Sequence, residues 1–234
     1  MTGTLYGLGV GPGDPELITL KALRLLRAAP VLAYPAPEGG DSLARAIVAT
    51  HLPGGQTEIA IRIPIVAARF PADEVYDRAA AELGTHLAAG RDVAAVCEGD
   101  PFFYGSFMYL FGRLVDRFPV IVVPGVSSLM ACAAEAGAPL AARDDVLTVI
   151  PATVDAAILR ARLENCEGAA IIKVGRHFAK VRDVLGELGI AGRARYVEHA
   201  TMATQRVLKF AEVDGDRVPY FSMVLVHGRG QAWQ

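Results

Sequence analysis

The chain has 234 residues, 53% hydrophobic and 21% charged, which suits one large domain or two small ones and excludes a disordered chain. A formal net charge of −2 argues against a nucleic-acid partner, which usually meets a basic face. Three cysteines, Cys97, Cys132 and Cys166, show neither a pairing nor metal-ligand spacing, so buried thiols in a reducing cytoplasm and no metal site are expected.

Leu5-Tyr6-Gly7-Leu8 begins folding material almost at once, which gives the expectation of no secretory signal. Thr4 to Val10 reads as a short apolar strand, followed by Gly9-Val10-Gly11-Pro12-Gly13-Asp14. A dinucleotide fingerprint would need glycine at position 12 or 14, and a phosphate-binding loop would need Gly-Lys-Ser/Thr; neither is present. A Gly/Pro loop ending in Asp suits a ligand with a positive or neutral edge, and equally a tight turn that lets helix pack on sheet. Thr19 is placed to cap a helix carrying Leu20, Ala22, Leu23 and Leu26, ended by Pro30. Val31 to Tyr34 is a second strand closed by Pro35-Ala36-Pro37, Ser42 to Thr50 a helix, and Thr57 to Ile63 an alternating strand. Val66 to Phe70 reads as irregular, with Arg62 and Arg69 nearby. Asp73 to Ala89 is a long helix with Val75, Ala79 and Leu83 on one side.

Asp92 to Cys97 is an apolar run that reads as a buried strand, and it stops at Glu98-Gly99-Asp100-Pro101. Pro101 biases Asp100 towards an extended backbone, and Gly99 lets a ligand approach the chain. A carboxylate at the carboxyl end of a buried parallel strand stands where open α/β sheets hold ligands. Phe107 to Phe118 is a helix and Pro119 to Val123 another buried strand, followed by Pro124-Gly125-Val126-Ser127-Ser128. The two hydroxyls there can cap the next helix, Leu129 to Ala136, or contact a ligand. Val120 to Ala142 is apolar, but Pro124, Gly125, Glu135, Gly137 and Pro139 break it, so no membrane span is expected.

Strands alternating with helices predict right-handed βαβ units and a mostly parallel sheet. Beyond Pro139 the rhythm changes. Strands are expected at Val146–Pro151, Ala169–Val174, Arg195–His199, Arg206–Phe210 and Ser222–His227, with helices at Ala156–Leu163 and Phe178–Leu188. The short gap at Ala200 to Thr204 predicts a hairpin and a mixed sheet. The expected fold is α/β in two domains, residues 1–130 and 131–234, with the boundary between about 123 and 139. The second, α+β domain would face the strand ends carrying the three loops and close a ligand cleft.

The set Gly9 to Asp14, Gly99 to Phe102 and Pro124 to Ser128, with Lys173-Val174-Gly175 and Val197 to Thr201, resembles the tetrapyrrole methylase family over essentially the whole chain. Ala33 to Pro37, Cys97 to Met108, Leu140 to Arg143 and Lys173 to His177 look like its branch that methylates C-20 of precorrin-2 in cobalamin synthesis. The resemblance implies S-adenosylmethionine as methyl donor, held by Pro12, Glu98, Gly99, Asp100, Phe103, Ser127, Ser128, Val174, Ala200 and a residue near Met223, before Gly228. It also implies a cytoplasmic homodimer. The substrate implied is an octacarboxylate, so cationic groups should line its site. Arg143, Arg176, His177 and Lys180 are the candidates, with Tyr34 and Tyr104 as further contacts. Relatives that methylate uroporphyrinogen carry an Asp after the tyrosine of the second strand; this chain has Pro35, so a base there does not carry over. Rival acceptors are cobalt-factor II, uroporphyrinogen, a ribosomal RNA ribose, disfavoured by the charge balance, and diphthamide. From another class, the rival is a non-catalytic ligand sensor on the same scaffold.

Overall fold

The computed structural model describes residues 1–64 and 72–227. Val66 to Phe70 with Arg69, and Gly228, lie outside the described residues. Two compact units divide the chain, Met1–Ser127 and Ser128–Gln234.

The first unit runs β1 (Leu5–Gly9), α1 (Leu20–Ala28), β2 (Val31–Pro37), α2 (Leu43–Val48), β3 (Thr57–Ile63), α3 (Ala72–Ala88), β4 (Val93–Cys97), α4 (Phe107–Leu114) and β5 (Val120–Val123). All pairings are parallel, in the order β3-β2-β4-β1-β5. Because strand side chains alternate between faces, the wholly buried β4 feeds two cores. Val93, Ala95 and Cys97 join Val75, Ala79 and Leu83 of α3 and Phe107, Leu110 and Leu114 of α4. Ala94 and Val96 join Ala22, Leu25 and Leu26 of α1 and Ala44, Ile47 and Val48 of α2. Thr19 caps α1 by accepting the Ala22 N–H at 3.2 Å. Gly7 makes room for Phe107, whose ring lies 2.3 Å from where a Cβ would stand.

Three expectations need correction. Leu20 is 85% exposed, because only Ala22, Leu25 and Leu26 of α1 face the core. Strand β5 is an edge strand rather than a buried one; only Val123 is fully covered, and Ile121 is 41% exposed. Helix α4 stops at Leu114 rather than Phe118, because the chain turns there to enter β5.

The second unit runs α5 (Ser128–Glu135), β6 (Leu147–Pro151), α6 (Ala156–Leu163), β7 (Gly168–Ile172), α7 (Phe178–Glu187), β8 (Ala194–Glu198), β9 (Arg206–Lys209) and β10 (Ser222–His227). Its sheet order is β6-β7-β10-β8-β9, parallel only between β6 and β7, so the mixed sheet and the β8–β9 hairpin expected from the sequence are present. Alternation again separates two cores. Ala169 and Ile171 meet Leu159, Leu163, Phe178 and Val181 of α6 and α7, whereas Ala170 and Ile172 meet Leu129, Ala131 and Cys132 of α5.

Candidate functional site

Parallel pairing of β4, β1 and β5 brings their carboxyl ends to one edge, and with them three bends. The Val10 N–H donates to the Cys97 carbonyl at 3.1 Å, and the Gly99 N–H to the Gly11 carbonyl at 2.8 Å, so the first and second bends form a small antiparallel bridge. Gly11 (φ +84°) and Gly99 (φ +63°) occupy left-handed conformations that favour glycine. The Asp100 carboxylate ties the second bend to the third. Its Oδ1 accepts the Phe102 and Phe103 N–H groups at 2.9 and 3.0 Å, and its Oδ2 accepts the Gly125 N–H at 3.1 Å. A Cβ on Gly125 would lie 2.2 Å from the Gly99 carbonyl oxygen. Pro12, Glu98, Gly99, Asp100, Phe103 and Tyr104 thus fall within one set of interlocked bends, and Ser127 follows the third. Phe103 and Tyr104 are partly exposed with their rings edge to face, and Tyr104 takes φ +57°. The three bends carry Asp14, Glu98 and Asp100 and no lysine or arginine, so their charge suits a cation.

Glu98 is half-buried, and its Oε1 accepts the Ala44 N–H at 3.2 Å in the first turn of α2. Burial raises its carboxyl above the ordinary carboxylate range, with hydrogen bonds from its own backbone and Ala44 acting the other way. A raised folded-state pKa means stability is lost as pH rises from the ordinary carboxylate range through the raised value. Glu98→Gln keeps an acceptor for Ala44 and removes the charge. Its melting temperature relative to the parent chain should therefore increase as pH rises from the ordinary carboxylate range through the raised value; a pH-independent difference would mean that Glu98 carries no buried charge. Burial likewise pushes the Cys97 thiol up to about 11 and the Cys132 thiol up to about 12, so both stay protonated and unreactive.

In the second unit, β10 runs against both β7 and β8, so its amino end lies beside their carboxyl ends. The Gly175 N–H donates to Ser222 Oγ at 3.3 Å, and the His199 N–H to the Phe221 carbonyl at 2.9 Å. Val174, Ala200 and Met223 therefore share one sheet edge, all three buried. Lys173 (φ +58°), His199 (φ +49°) and Thr201 (φ +66°) are left-handed non-glycine residues at this same edge, and such strain gathers at functional sites. Ser128 begins α5 and is exposed.

Three of the candidate cations, Arg176, His177 and Lys180, gather at the start of α7, and Arg143 stands apart from them in the chain. Arg143 is exposed in the turn before β6 at φ +53°, and Arg176 is exposed ahead of α7. Burial, then Lys180 and Arg176, lower the pKa of His177. The Lys180 ammonium donates to the Val154 carbonyl, so part of its hydrogen-bonding capacity is already used within the unit.

The family model for tetrapyrrole (corrin/porphyrin) methylases matches residues 4–214. This chain belongs to that family. It is 44% identical over 97% of its length to the cobalamin biosynthesis protein CobIJ of Mycobacterium tuberculosis, but covers only 46% of that protein. The chain thus spans about half the length of the CobIJ relatives it matches. It is also 44% identical to the precorrin-2 C(20)-methyltransferase of a Sinorhizobium species, over 97% of this chain and 96% of that one. The cobalt-precorrin-2 C(20)-methyltransferase of Salmonella typhimurium is 35% identical, with 97% of each chain covered. Among solved structures, a uroporphyrin-III C-methyltransferase of Thermus thermophilus, complexed with S-adenosylhomocysteine, superposes with a TM-score of 0.70 at 26% identity. That match covers 96% of this chain and 92% of the other.

One feature of this chain escaped sequence reasoning. Tyr34, Ser42, Arg45 and Arg62 line a pocket of about 290 Å³ at the carboxyl ends of β2 and β3, on the same sheet edge as the bends. Arg45 is paired with Glu58 through contacts of 2.8 and 3.0 Å. Burial raises the Tyr34 hydroxyl, and a hydrogen bond to Glu58 adds to the effect. Arg62 holds an exposed strand position that looks like solvated charge; only its hydrogen bonds to the Pro37 and Gly40 carbonyls bring it to the pocket wall.

Proposed function

We infer that this chain transfers a methyl group from S-adenosylmethionine to C-20 of metal-free precorrin-2, giving precorrin-3A in cobalamin biosynthesis, in the cytoplasm. The observation that carries the donor half of this reading is the interlocked trio of bends with three carboxylates and no cation. The donor's sulfonium and ammonium are positive, and an anionic, glycine-lined edge fits them. The acceptor half rests on likeness: 44% identity to the Sinorhizobium enzyme, named for precorrin-2, against 35% to the Salmonella enzyme, named for the cobalt form.

Bound there, S-adenosylmethionine supplies an electrophilic methyl on its own leaving group. The chain's residues orient and enclose. Asp100 faces the donor's ammonium while keeping the second and third bends together. Gly99 and Pro12 offer backbone against which a flat ring can lie, and Phe103 covers the edge. Arg143, Arg176 and His177 meet peripheral carboxylates of the acceptor. Orientation and water exclusion of this kind can supply about 7–11 kcal/mol.

The test is a mass measurement. Purified chain, S-adenosylmethionine and precorrin-2 should give a product one methyl heavier, with cobalt-precorrin-2 converted more slowly. Methylation of the cobalt form alone would reverse the acceptor assignment. Methylation of neither, with turnover of uroporphyrinogen, would overturn it.

A further inference from the structure

We propose that Arg62 is a substrate-specificity residue, whose guanidinium receives one peripheral carboxylate of the tetrapyrrole in the pocket between β2, β3 and α2. The inference rests on the function proposed above and adds a site to it. Three observations carry it. First, β2 and β3 are parallel to β4, so the pocket opens at the same sheet edge as the bends, where a ligand spanning that edge would reach it. Second, the guanidinium is fixed in place without a counter-charge. Its Nη1 donates to the Pro37 and Gly40 carbonyls at 3.2 and 2.7 Å, and among the described residues no carboxylate forms an ion pair with it. Arg45, the other guanidinium in the pocket, is already matched by Glu58, so it walls the site without offering charge. Third, about 290 Å³ is ample for an acetate or propionate arm, and Ser42 and Tyr34 give that arm polar walls.

An arginine held by two carbonyls through one nitrogen keeps its remaining N–H groups for a ligand, and a carboxylate matches their fork. Asp41 stands at the rim, exposed and outside ion-pair distance, so its charge is met by solvent. A cofactor carboxylate has the same chemistry as a substrate arm, and the experiment separates the two sources.

Arg62→Gln and Arg62→Lys should be compared with the parent chain for kcat and KM with precorrin-2, and for S-adenosylhomocysteine affinity by calorimetry. Expected for Arg62→Gln is a KM at least about ten-fold higher, with unchanged S-adenosylhomocysteine affinity and kcat within about two-fold. Arg62→Lys, which keeps the charge and loses the fork, should fall between. A melting curve shows whether either variant has lost its fold. Should Arg62→Gln be unstable, competition by a stable octacarboxylate porphyrin against one with four carboxylates replaces it. The parent chain should then prefer the former, and Arg62→Lys should narrow that preference. An unchanged KM, or an unchanged preference, in a parent chain that does methylate precorrin-2 overturns this inference and leaves the methyltransferase reading intact. A fall in S-adenosylhomocysteine affinity also overturns it, since the arm would then be the cofactor's. A parent chain that methylates no tetrapyrrole defeats the methyltransferase reading itself.

Discussion

Gly125→Ala is expected to abolish most methyl transfer, by about 10²-fold or more, while Gly112→Ala leaves it unchanged. The two glycines have opposite surroundings. A Cβ on Gly125 would stand 2.2 Å from the Gly99 carbonyl oxygen and 2.7 to 2.8 Å from backbone atoms of Gly9. None of these is the free end of a side chain, so the bends themselves must separate. Overpacking of this kind costs about 1–3 kcal/mol in stability, and misplacing the bends costs binding beyond that. Gly112 lies within α4, and a Cβ there meets nothing within 4 Å. Alanine should stabilise that helix by about 0.5–1 kcal/mol. Melting curves with S-adenosylhomocysteine calorimetry on both variants check the contrast. Normal cofactor affinity in a folded Gly125→Ala variant would mean that contact between the bends is not what shapes the site.

Asp100→Ala is expected to weaken S-adenosylhomocysteine binding about 10- to 150-fold, the worth of one charge-assisted hydrogen bond, with a much smaller change in melting temperature. Asp100 shapes its own turn, ties the second bend to the third and carries a charge, and asparagine keeps only the first of these. An asparagine oxygen can still accept the Phe102 and Phe103 N–H groups, but its amide nitrogen would face the Gly125 N–H donor. The turn survives, the tie to the third bend does not, and the negative charge is gone. Asp100→Asn should therefore melt close to the parent chain and still bind the ligand poorly. Full affinity in Asp100→Asn would mean that neither the charge of Asp100 nor its tie to the third bend serves binding.

Much of the first unit was legible because buried parallel strands announce themselves. Asp92 to Cys97 is apolar throughout, and β4 proves wholly buried between β2 and β1. Strand β5 misled for the same reason in reverse. Val-Ile-Val-Val looks like a central strand, and nothing local shows that it closes the sheet with Ile121 facing out. The bends were legible as glycine and proline punctuation, yet their interlocking was not. That Asp100 reaches the Gly125 N–H across 25 positions depends on β1 lying between β4 and β5. The left-handed backbone of Lys173, His199 and Thr201 has no sequence signature, since none of the three is a glycine and a β-branched threonine disfavours that conformation. Arg62 was hidden because an exposed arginine near a strand end is ordinary; its meaning comes from the carbonyls of Pro37 and Gly40 that fix it.

The proposed seat of the donor is the set of bends at Gly11–Pro12, Gly99–Phe103 and Gly125–Ser127. A crystal structure of the chain grown with S-adenosylhomocysteine tests it most directly. Ligand density is expected in contact with all three bends, its amino group within hydrogen-bonding distance of the Asp100 carboxylate. Density at any other place on the chain, with these bends untouched, would contradict it.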